Sequence, residues 1–254
     1  MSVVGSRESS ADGLRLARSL GAAIARTGAW VVSGGALGID AAAHAGAVEV
    51  GGRTMVVLGG GLDHLYPAEN RGLFARAVES GGGLVAEVDD GRRAAIWSFP
   101  RRNRIVAALG EATVVVRAGA KSGALITARY AARIGQPVWV ASEVPGDEGN
   151  GLRQLASEGA REFRTAAELA AALQLGLVAR AGWEAPDAAG LDGTAAVLWG
   201  ALDGEPRGPD DVARRAGVGP GAVLAGLMEL ELLGLVERRP GRGFARRAGG
   251  PQGE

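Results

Sequence analysis

Residues 29–40 read "AWVVSGGALGID", an unbroken apolar run that ends in small residues and leads into a helix-like stretch. An unbroken apolar run is typical of a strand that is covered on both faces, as in a parallel sheet. The same order of apolar run, small or polar residues and helix-like stretch recurs along the chain. We therefore predict six strands, at 2–4, 29–35, 53–61, 83–88, 112–119 and 137–142.

Residues with helical spacing fill the intervals between these strands. Helices are predicted over 12–27, 40–50, 70–80, 101–109 and 124–135. Regular alternation of strands and helices predicts an α/β fold with an extended, Rossmann-like, doubly wound and mostly parallel sheet. In such a sheet the carboxyl ends of the strands line the ligand crevice, and helix N-termini there favour an anion. The loops that follow the strands are therefore predicted to form an anion site.

The last part of the chain has a different pattern. A loose stretch is followed by a helix, a second helix, a turn, a third helix and an arginine-rich hairpin, which is typical of a small winged-helix domain. We expect a Rossmann-like domain over 1–175, a linker over 176–192, a winged-helix domain over 193–247 and a disordered tail over 248–254.

Composition excludes several classes of protein. The 254 residues contain no cysteine and only two histidines, so disulfides, thiolate sites and histidine-rich metal sites are not expected. We predict neither a metal nor a cofactor. No apolar run reaches the roughly 18 residues of a membrane span, and the first residues lack a signal peptide, so a cytoplasmic protein is expected. Since the formal net charge is zero, a nucleic-acid surface must be a local patch.

The segment "SFPRRNRIVAALGEATVVV" (98–116) contains such a patch. Five arginines and two aromatic residues lie between 92 and 104, without an acid. Pro100 suits the first turn of a helix, which places Arg101 to Arg104 near a helix N-terminus. Cations there oppose the helix dipole by about 0.3–1 kcal/mol each. A solvated charged loop is the simpler interpretation, but several such cations at one helix end favour a bound anion, for which backbone phosphate is the obvious candidate.

Other candidates follow the neighbouring strands. Arg7 comes directly after the first strand, and Asn70 and Arg71 follow "DHLYP" (63–67). Phe74 lies one turn beyond Asn70 on the same helical face. Phe74 is either a core residue or a ring on which a nucleobase stacks, a contact of about 1–3 kcal/mol.

Catalytic arrangements are weak in this sequence. The glycine segments match neither the dinucleotide-binding fingerprint nor the phosphate-binding P-loop. Asp40 and His44 lie one turn apart and would suit an acid–base pair, but a structural pair is the better interpretation because nothing else in the chain completes a triad. We therefore predict no catalytic residue.

Six segments occur in order: "VGSR", "SGGALGIDAAAHAGAV", "GGRTMVVLGGGLDHLYPAENRGLF", "FPRRNRIVAALGEATVVV", "SGALITARYAARIGQPVWV" and "GLRQLASEGA". Together they resemble the DNA-processing protein A family, also called Smf, over residues 3–163. The resemblance implies a protein without catalytic activity that binds single-stranded DNA, protects incoming DNA and loads the RecA recombinase during natural transformation. It further implies a homodimer, with the single-strand-binding protein as an additional partner.

The crevice loops and the resemblance together give one set of predicted DNA-binding residues. They are Gly5, Ser6, Arg7, Ser33, Gly34, Gly35, Gly61, Asn70, Arg71, Phe74, Arg101, Arg102, Asn103, Arg104, Ser122, Gly123 and Thr127. The sequence departs from the family pattern at Arg117, where an acid is usual, and at Ala124, where a serine is usual.

Two other functions are open on the sequence. One is a nucleotide-processing hydrolase of the phosphoribohydrolase type, but the "PGGxGTxxE" motif of those enzymes is replaced by "SGALITARY". The other is a transcription regulator that acts through the winged helix. Its third helix carries "AGLMELELL", which has little chemistry for reading bases.

Overall fold

The computed structural model describes residues 1–174, 191, 193–232, 235–239 and 243–246. The chain divides into two compact units, Met1–Glu184 and Ala185–Glu254. Apart from Leu191, the predicted linker lies outside the described residues, as do the predicted tail and the turn of the wing. None of the described helices combines the length and the apolar character that a bilayer crossing requires.

The first unit is built on a sheet of seven strands, all of which pair in parallel. Their order in space is β4-β3-β2-β1-β5-β6-β7. The strands are β1 (Ser2–Val4), β2 (Val31–Ser33), β3 (Thr54–Leu58), β4 (Gly83–Ala86), β5 (Thr113–Val115), β6 (Val138–Ala141) and β7 (Arg161–Phe163). The predicted fold class is confirmed, and β7 is a strand that the sequence did not predict.

Seven helices accompany the sheet. They are α1 (Ala11–Arg26), α2 (Ile39–Glu49), α3 (Arg71–Glu79), α4 (Ser98–Leu109), α5 (Gly123–Arg133), α6 (Asn150–Ser157) and α7 (Ala166–Gln174). The last two were not predicted. Helix α4 begins three residues earlier than predicted, so its arginines lie beyond the very first positions of the helix.

Helices α1 and α2 pack against each other with their backbones in close approach. The side chain of Ser10 caps α1 by accepting a hydrogen bond from the N–H of Gly13. Farther along, a Cβ at Gly21 would lie 2.0 Å from the carbonyl oxygen of Ala43, and one at Gly46 would lie 1.9 Å from that of Arg18. Only glycine therefore fits at these two positions.

We expect Gly46→Ala to lower the free energy of unfolding by about 1–3 kcal/mol, as is typical of overpacking. Urea unfolding followed by circular dichroism measures the change. Gly72→Ala is the matched control, because Gly72 lies in a helix and a Cβ there would meet nothing within 4 Å. If Gly46→Ala were as stable as Gly72→Ala, α1 and α2 would be able to move apart and admit the Cβ without a loss of unfolding free energy.

The second unit contains three helices and a two-stranded antiparallel sheet. The elements are α8 (Gly193–Ala201), α9 (Pro209–Ala216), α10 (Pro220–Leu232), β8 (Val236–Arg239) and β9 (Gly243–Arg246). Helix α9 ends at Gly217, whose φ of 65° is in the left-handed region that glycine adopts easily. The core of this second unit includes Leu198, Val212, Leu227 and Phe244. This is the winged-helix arrangement that the sequence predicted.

Candidate functional site

A pocket opens at the carboxyl ends of β1, β2 and β3. These strands are neighbours in a parallel sheet, so the loops that follow them meet at one edge. Helix α4 leads from the edge strand β4 back to β5 and adds its own side chains to the same edge. The lining residues are Arg7, Gly34, Ala36, Leu37, Tyr66, Pro67, Phe99 and Arg102.

Two aromatic rings and one cation form the open side of this pocket. The guanidinium carbon of Arg7 lies 5.1 Å from the centroid of the Phe99 ring, within the range of a cation–π contact. The Phe99 and Tyr66 rings are 5.6 Å apart at 44°. Since Tyr66 is 54% exposed, its ring is available to a ligand in a pocket that Arg7 also lines.

Neither aromatic residue was among the predicted site residues. Tyr66 belongs to the "DHLYP" segment, and Phe99 belongs to the arginine-rich segment. A tyrosine within a glycine-rich loop that follows a strand was the available signal. Such a loop has few apolar residues that could bury the ring, so the pattern predicts an exposed tyrosine.

Arg102 has a different role from the one predicted. Its side chain is only 5% exposed, and its Nη1 donates hydrogen bonds to the carbonyl oxygens of Gly34 and Val57. Burial lowers the pKa of Arg102 to about 10, and the carboxylate of Asp40 opposes this shift. Arg102 therefore keeps its charge at neutral pH, but it stabilises the ends of β2 and β3 and is not free to enclose a phosphate.

The exposed arginines of the same helix share one carboxylate. Nη2 of Arg101 lies 3.0 Å from Oε1 of Glu87, and Nη2 of Arg104 contacts the same oxygen. The predicted cluster of uncompensated cations is therefore partly neutralised. Glu87 precedes the arginine-rich segment, at the end of β4, which is why the local pattern did not include it.

Asn103, Ser122 and Gly123 form the junction of α4 and α5. Nδ2 of Asn103 donates to the carbonyl oxygen of Gly123 at 3.2 Å. The hydroxyl of Ser122 caps α5 by accepting a hydrogen bond from the N–H of Ala124. Thr127, which was predicted to contact DNA, is 1% exposed, and its side chain is enclosed by the protein.

Phe74 is a core residue in this structure. Its ring is 0% exposed and packs with Val56 and Leu58. It also lies directly below the loop after β2, because a Cβ at Gly35 would be 2.9 Å from its Cε1. The expectation that a base stacks on Phe74 is thus corrected, since the buried ring offers no face to a ligand.

Asn70 supports the loop that follows β2, and Arg71 stands next to it at the start of α3. Nδ2 of Asn70 donates to the carbonyl oxygens of Gly35 at 2.9 Å and Ala36 at 3.2 Å. Asn70 is buried, whereas Arg71 is exposed. In the described part of the chain Arg71 has no carboxylate within ion-pair distance.

The remaining predicted residues serve the backbone of the crevice. The hydroxyl of Ser33 donates to the carbonyl oxygen of Val3, and the N–H of Ser6 donates to that of Arg117. A Cβ at Gly61 would lie 2.1 Å from the carbonyl oxygen of Asp89. These residues hold the strand ends close together, but their side chains offer few contacts to a ligand. Gly5 is similar, because a Cβ there would lie 2.7 Å from Cγ1 of Ile39.

Asp40 and His44 do not act on each other. Oδ2 of Asp40 accepts hydrogen bonds from the N–H groups of Gly34 at 3.1 Å and Ala36 at 3.4 Å. Nδ1 of His44 lies 2.7 Å from the hydroxyl of Thr54, which donates in turn to a carbonyl oxygen. Each residue therefore has its own structural partners. Among the described residues, no group of His, Asp and Glu is arranged to hold a metal ion.

Fold and pocket define a Rossmann-type α/β protein with a crevice lined by cations and aromatic rings, followed in sequence by a winged-helix unit. The family model for DNA recombination-mediator protein A matches residues 1–174, and that for the DprA winged helix domain matches residues 177–242. The chain belongs to the DNA recombination-mediator protein A family. The resemblance seen in the sequence motifs is therefore confirmed.

Curated relatives carry the names Smf and DprA. Protein Smf of Synechocystis sp. is 33% identical over 279 residues, which cover 96% of this chain and 69% of that protein. The putative DNA processing protein DprA of Mycobacterium tuberculosis is 39% identical over 258 residues, which cover 98% of this chain and 65% of that protein. The chain thus spans about two thirds of the length of these relatives.

Two solved structures share the fold of the first unit. DNA processing protein A of Streptococcus pneumoniae is 33% identical with a TM-score of 0.61, over 67% of this chain and 60% of that one. A structure described as showing the single-stranded DNA binding mode of the Helicobacter pylori protein has the same TM-score of 0.61 at 24% identity, over 69% of this chain and 80% of that one. At that identity the second likeness shows the fold alone.

Proposed function

We propose that the chain binds single-stranded DNA at the carboxyl edge of its sheet, with one nucleotide in the pocket of Arg7, Tyr66 and Phe99. The observation that carries this proposal is a pocket lined by the exposed ring of Tyr66, the ring of Phe99 that it contacts, and the Arg7 guanidinium that rests on Phe99. Aromatic rings stack on any base, and an arginine fork binds phosphate, which is the combination that single-stranded nucleic acid needs. Family membership supports the same assignment.

The path of the DNA backbone follows the exposed cations. Arg7 and Arg71 would be its main phosphate contacts, because neither has a carboxylate partner in the described part of the chain. Arg101 and Arg104 share Glu87 and so contribute one net positive charge. The other predicted residues, including Gly34, Gly35, Ser122 and Gly123, would shape the surface along which the strand lies.

The wider role follows from the family. We propose that the protein is a recombination mediator that protects incoming DNA and loads the RecA recombinase during natural transformation, as a homodimer and without catalysis. The description of the matching family as a DNA recombination mediator supports this role. We also propose that residues 1–175 form the DNA-binding domain and residues 193–247 a winged-helix domain.

The alternatives have less support. A hydrolase would need an acid and a base at the crevice, but Asp40 and His44 are buried and bound to other groups. A transcription regulator would need base-reading side chains on α10, yet the charged residues of that helix are acidic, Glu229 and Glu231.

Fluorescence anisotropy with a labelled oligo-dT strand tests the proposed function. We expect wild-type binding to fall steeply with salt, since phosphate contacts release counterions. An unlabelled duplex should compete poorly, because its bases are not free to stack.

Tyr66→Ala should weaken binding of the same strand by about 5- to 150-fold, from the loss of about 1–3 kcal/mol of stacking. Tyr66→Phe is the matched control and should bind nearly as well as the wild type, because the ring is kept. Absence of binding by the wild type would refute single-strand binding altogether. Equal binding by Tyr66→Ala and the wild type would instead place the bases elsewhere.

A further inference from the structure

The turn between β1 and α1, residues 5–10, lies where the strand order of the sheet reverses. Strand β1 pairs with β2 on one side and β5 on the other, and the chain proceeds outward from this point in both directions. In doubly wound sheets the helix that starts here offers free N–H groups and a positive dipole end to a phosphate group. Helix α1 has 16 residues, so its dipole is well developed.

In this chain a carboxylate occupies that position. Oε1 of Glu148 accepts a hydrogen bond from the N–H of Ser10 at 2.8 Å, and Oε2 accepts one from the Ser10 hydroxyl at 2.7 Å. Glu148 comes from a short 3-10 turn, Asp147–Gly149, that precedes α6 and is far away in sequence. Desolvation acts against the charge of Glu148, but the hydrogen bonds from Ser10 prevail and lower its pKa. The charged carboxylate is thus bound to Ser10, the last residue of the turn and the N-cap of α1.

A buried cation faces the same position from the other side. Arg117 follows β5 and is 8% exposed. Its Nε lies 3.7 Å from Oε2 of Glu148, beyond hydrogen-bond distance, and has no hydrogen-bond partner among the residues that the structure describes. A buried N–H without a partner is unfavourable, because it has lost its hydrogen bonds to water. Arg117 therefore retains a donor that Glu148 does not satisfy and that a larger anion would reach.

We propose that this turn is a phosphate site that the chain keeps closed with the carboxylate of its own Glu148. The ligand class is the phosphate group of a nucleotide or of a DNA end. With Glu148 in place, its negative charge repels such a group, and phosphates are left to the neighbouring Arg7 side of the crevice. With Glu148 removed, the α1 N-terminus and the Arg117 guanidinium face one empty position.

The backbone of Glu148 is anchored, so opening the site requires only its side chain to move. The carbonyl oxygen of Glu148 accepts a hydrogen bond from the N–H of Ala118 at 2.8 Å, which holds the turn against the end of β5. The side chain itself is about one third exposed and has solvent to rotate into. The position can therefore be emptied by a rotation about side-chain bonds or by substitution.

Equilibrium binding of inorganic phosphate, at constant ionic strength, tests this site. We expect Glu148→Ala to bind phosphate at least tenfold more tightly than the wild type. The Arg117→Ala, Glu148→Ala double variant should lose this gain, because the cation is part of the site. Glu79→Ala, which removes an exposed carboxylate at the end of α3, should bind phosphate no better than the wild type.

Two results would overturn the proposal. One is phosphate binding by Glu148→Ala that is no tighter than that of the wild type. The other is an equal gain in the double variant. If Glu148→Ala does not fold, Glu148→Gln removes the charge at nearly constant volume. This variant is expected to show a smaller gain in phosphate affinity. The probe is phosphate rather than DNA, so the outcome is independent of the proposed function.

Discussion

Replacing Arg7 and Arg71 together by alanine is expected to weaken the binding of an oligo-dT strand about 100-fold. Hydrogen bonds to charged groups contribute about 1.5 kcal/mol or more each, and every 1.4 kcal/mol corresponds to tenfold in affinity. Neither guanidinium has a carboxylate partner in the described residues, so both are free for phosphate. Fluorescence anisotropy measures the change.

The salt dependence gives a second measure of the same variant. Each lost phosphate contact reduces the slope of log affinity against log salt by about 0.7 for a single strand, so the double variant should lose about 1.4. Arg15→Ala with Arg18→Ala is the matched control, because it removes the same charge from α1, where these residues pair with Asp12 and Glu49. Equal weakening in the control would mean that net charge alone attracts the DNA.

Acid is expected to destabilise the fold through His44. Burial, together with repulsion from Arg102, lowers the pKa of His44 from 6.5 to about 3 in the folded chain. As the pH falls below 6.5, the unfolded chain takes up a proton that the folded chain rejects. This contribution to stability is therefore complete above pH 6.5 and is lost toward pH 3, at about 1.4 kcal/mol per pH unit and about 4–5 kcal/mol in all.

His44→Asn isolates this effect, because an amide N–H can still donate to Thr54 but does not titrate. The difference in unfolding free energy between the wild type and His44→Asn should shrink by about 2 kcal/mol between pH 6.5 and pH 5. Urea unfolding at a series of pH values measures it, and contributions from carboxylates cancel in the difference. A difference that stays constant over this range would show that His44 takes up a proton as readily in the folded chain as in the unfolded chain.

The sheet was largely predictable because its central strands are covered on both faces. The buried run Val31–Ser33, for example, is therefore apolar except for Ser33 at its end, whose hydroxyl donates to the carbonyl oxygen of Val3. Strand β7 escaped prediction for the opposite reason. It is an edge strand of three residues, and Arg161 and Glu162 leave only Phe163 as a buried apolar side chain.

The site was less predictable because burial depends on partners that are distant in sequence. Arg102 looked like its neighbours Arg101 and Arg104, but its hydrogen-bond acceptors lie 68 and 45 residues away. Phe74 follows the helical spacing of a surface residue as well as that of a core residue. The structure shows that Phe74 is the core residue of these two alternatives, because it places the ring below Gly35.

The contact of Arg7 with Phe99 has a further consequence for binding. An arginine that is fixed only on association loses about 0.5–1.5 kcal/mol of conformational entropy at that moment. Here the guanidinium rests on a ring before any strand arrives. The N–H of Ser6, one residue earlier, is bound to the carbonyl oxygen of Arg117. The protein is thus preorganised, and the entropic cost of association falls mainly on the flexible DNA.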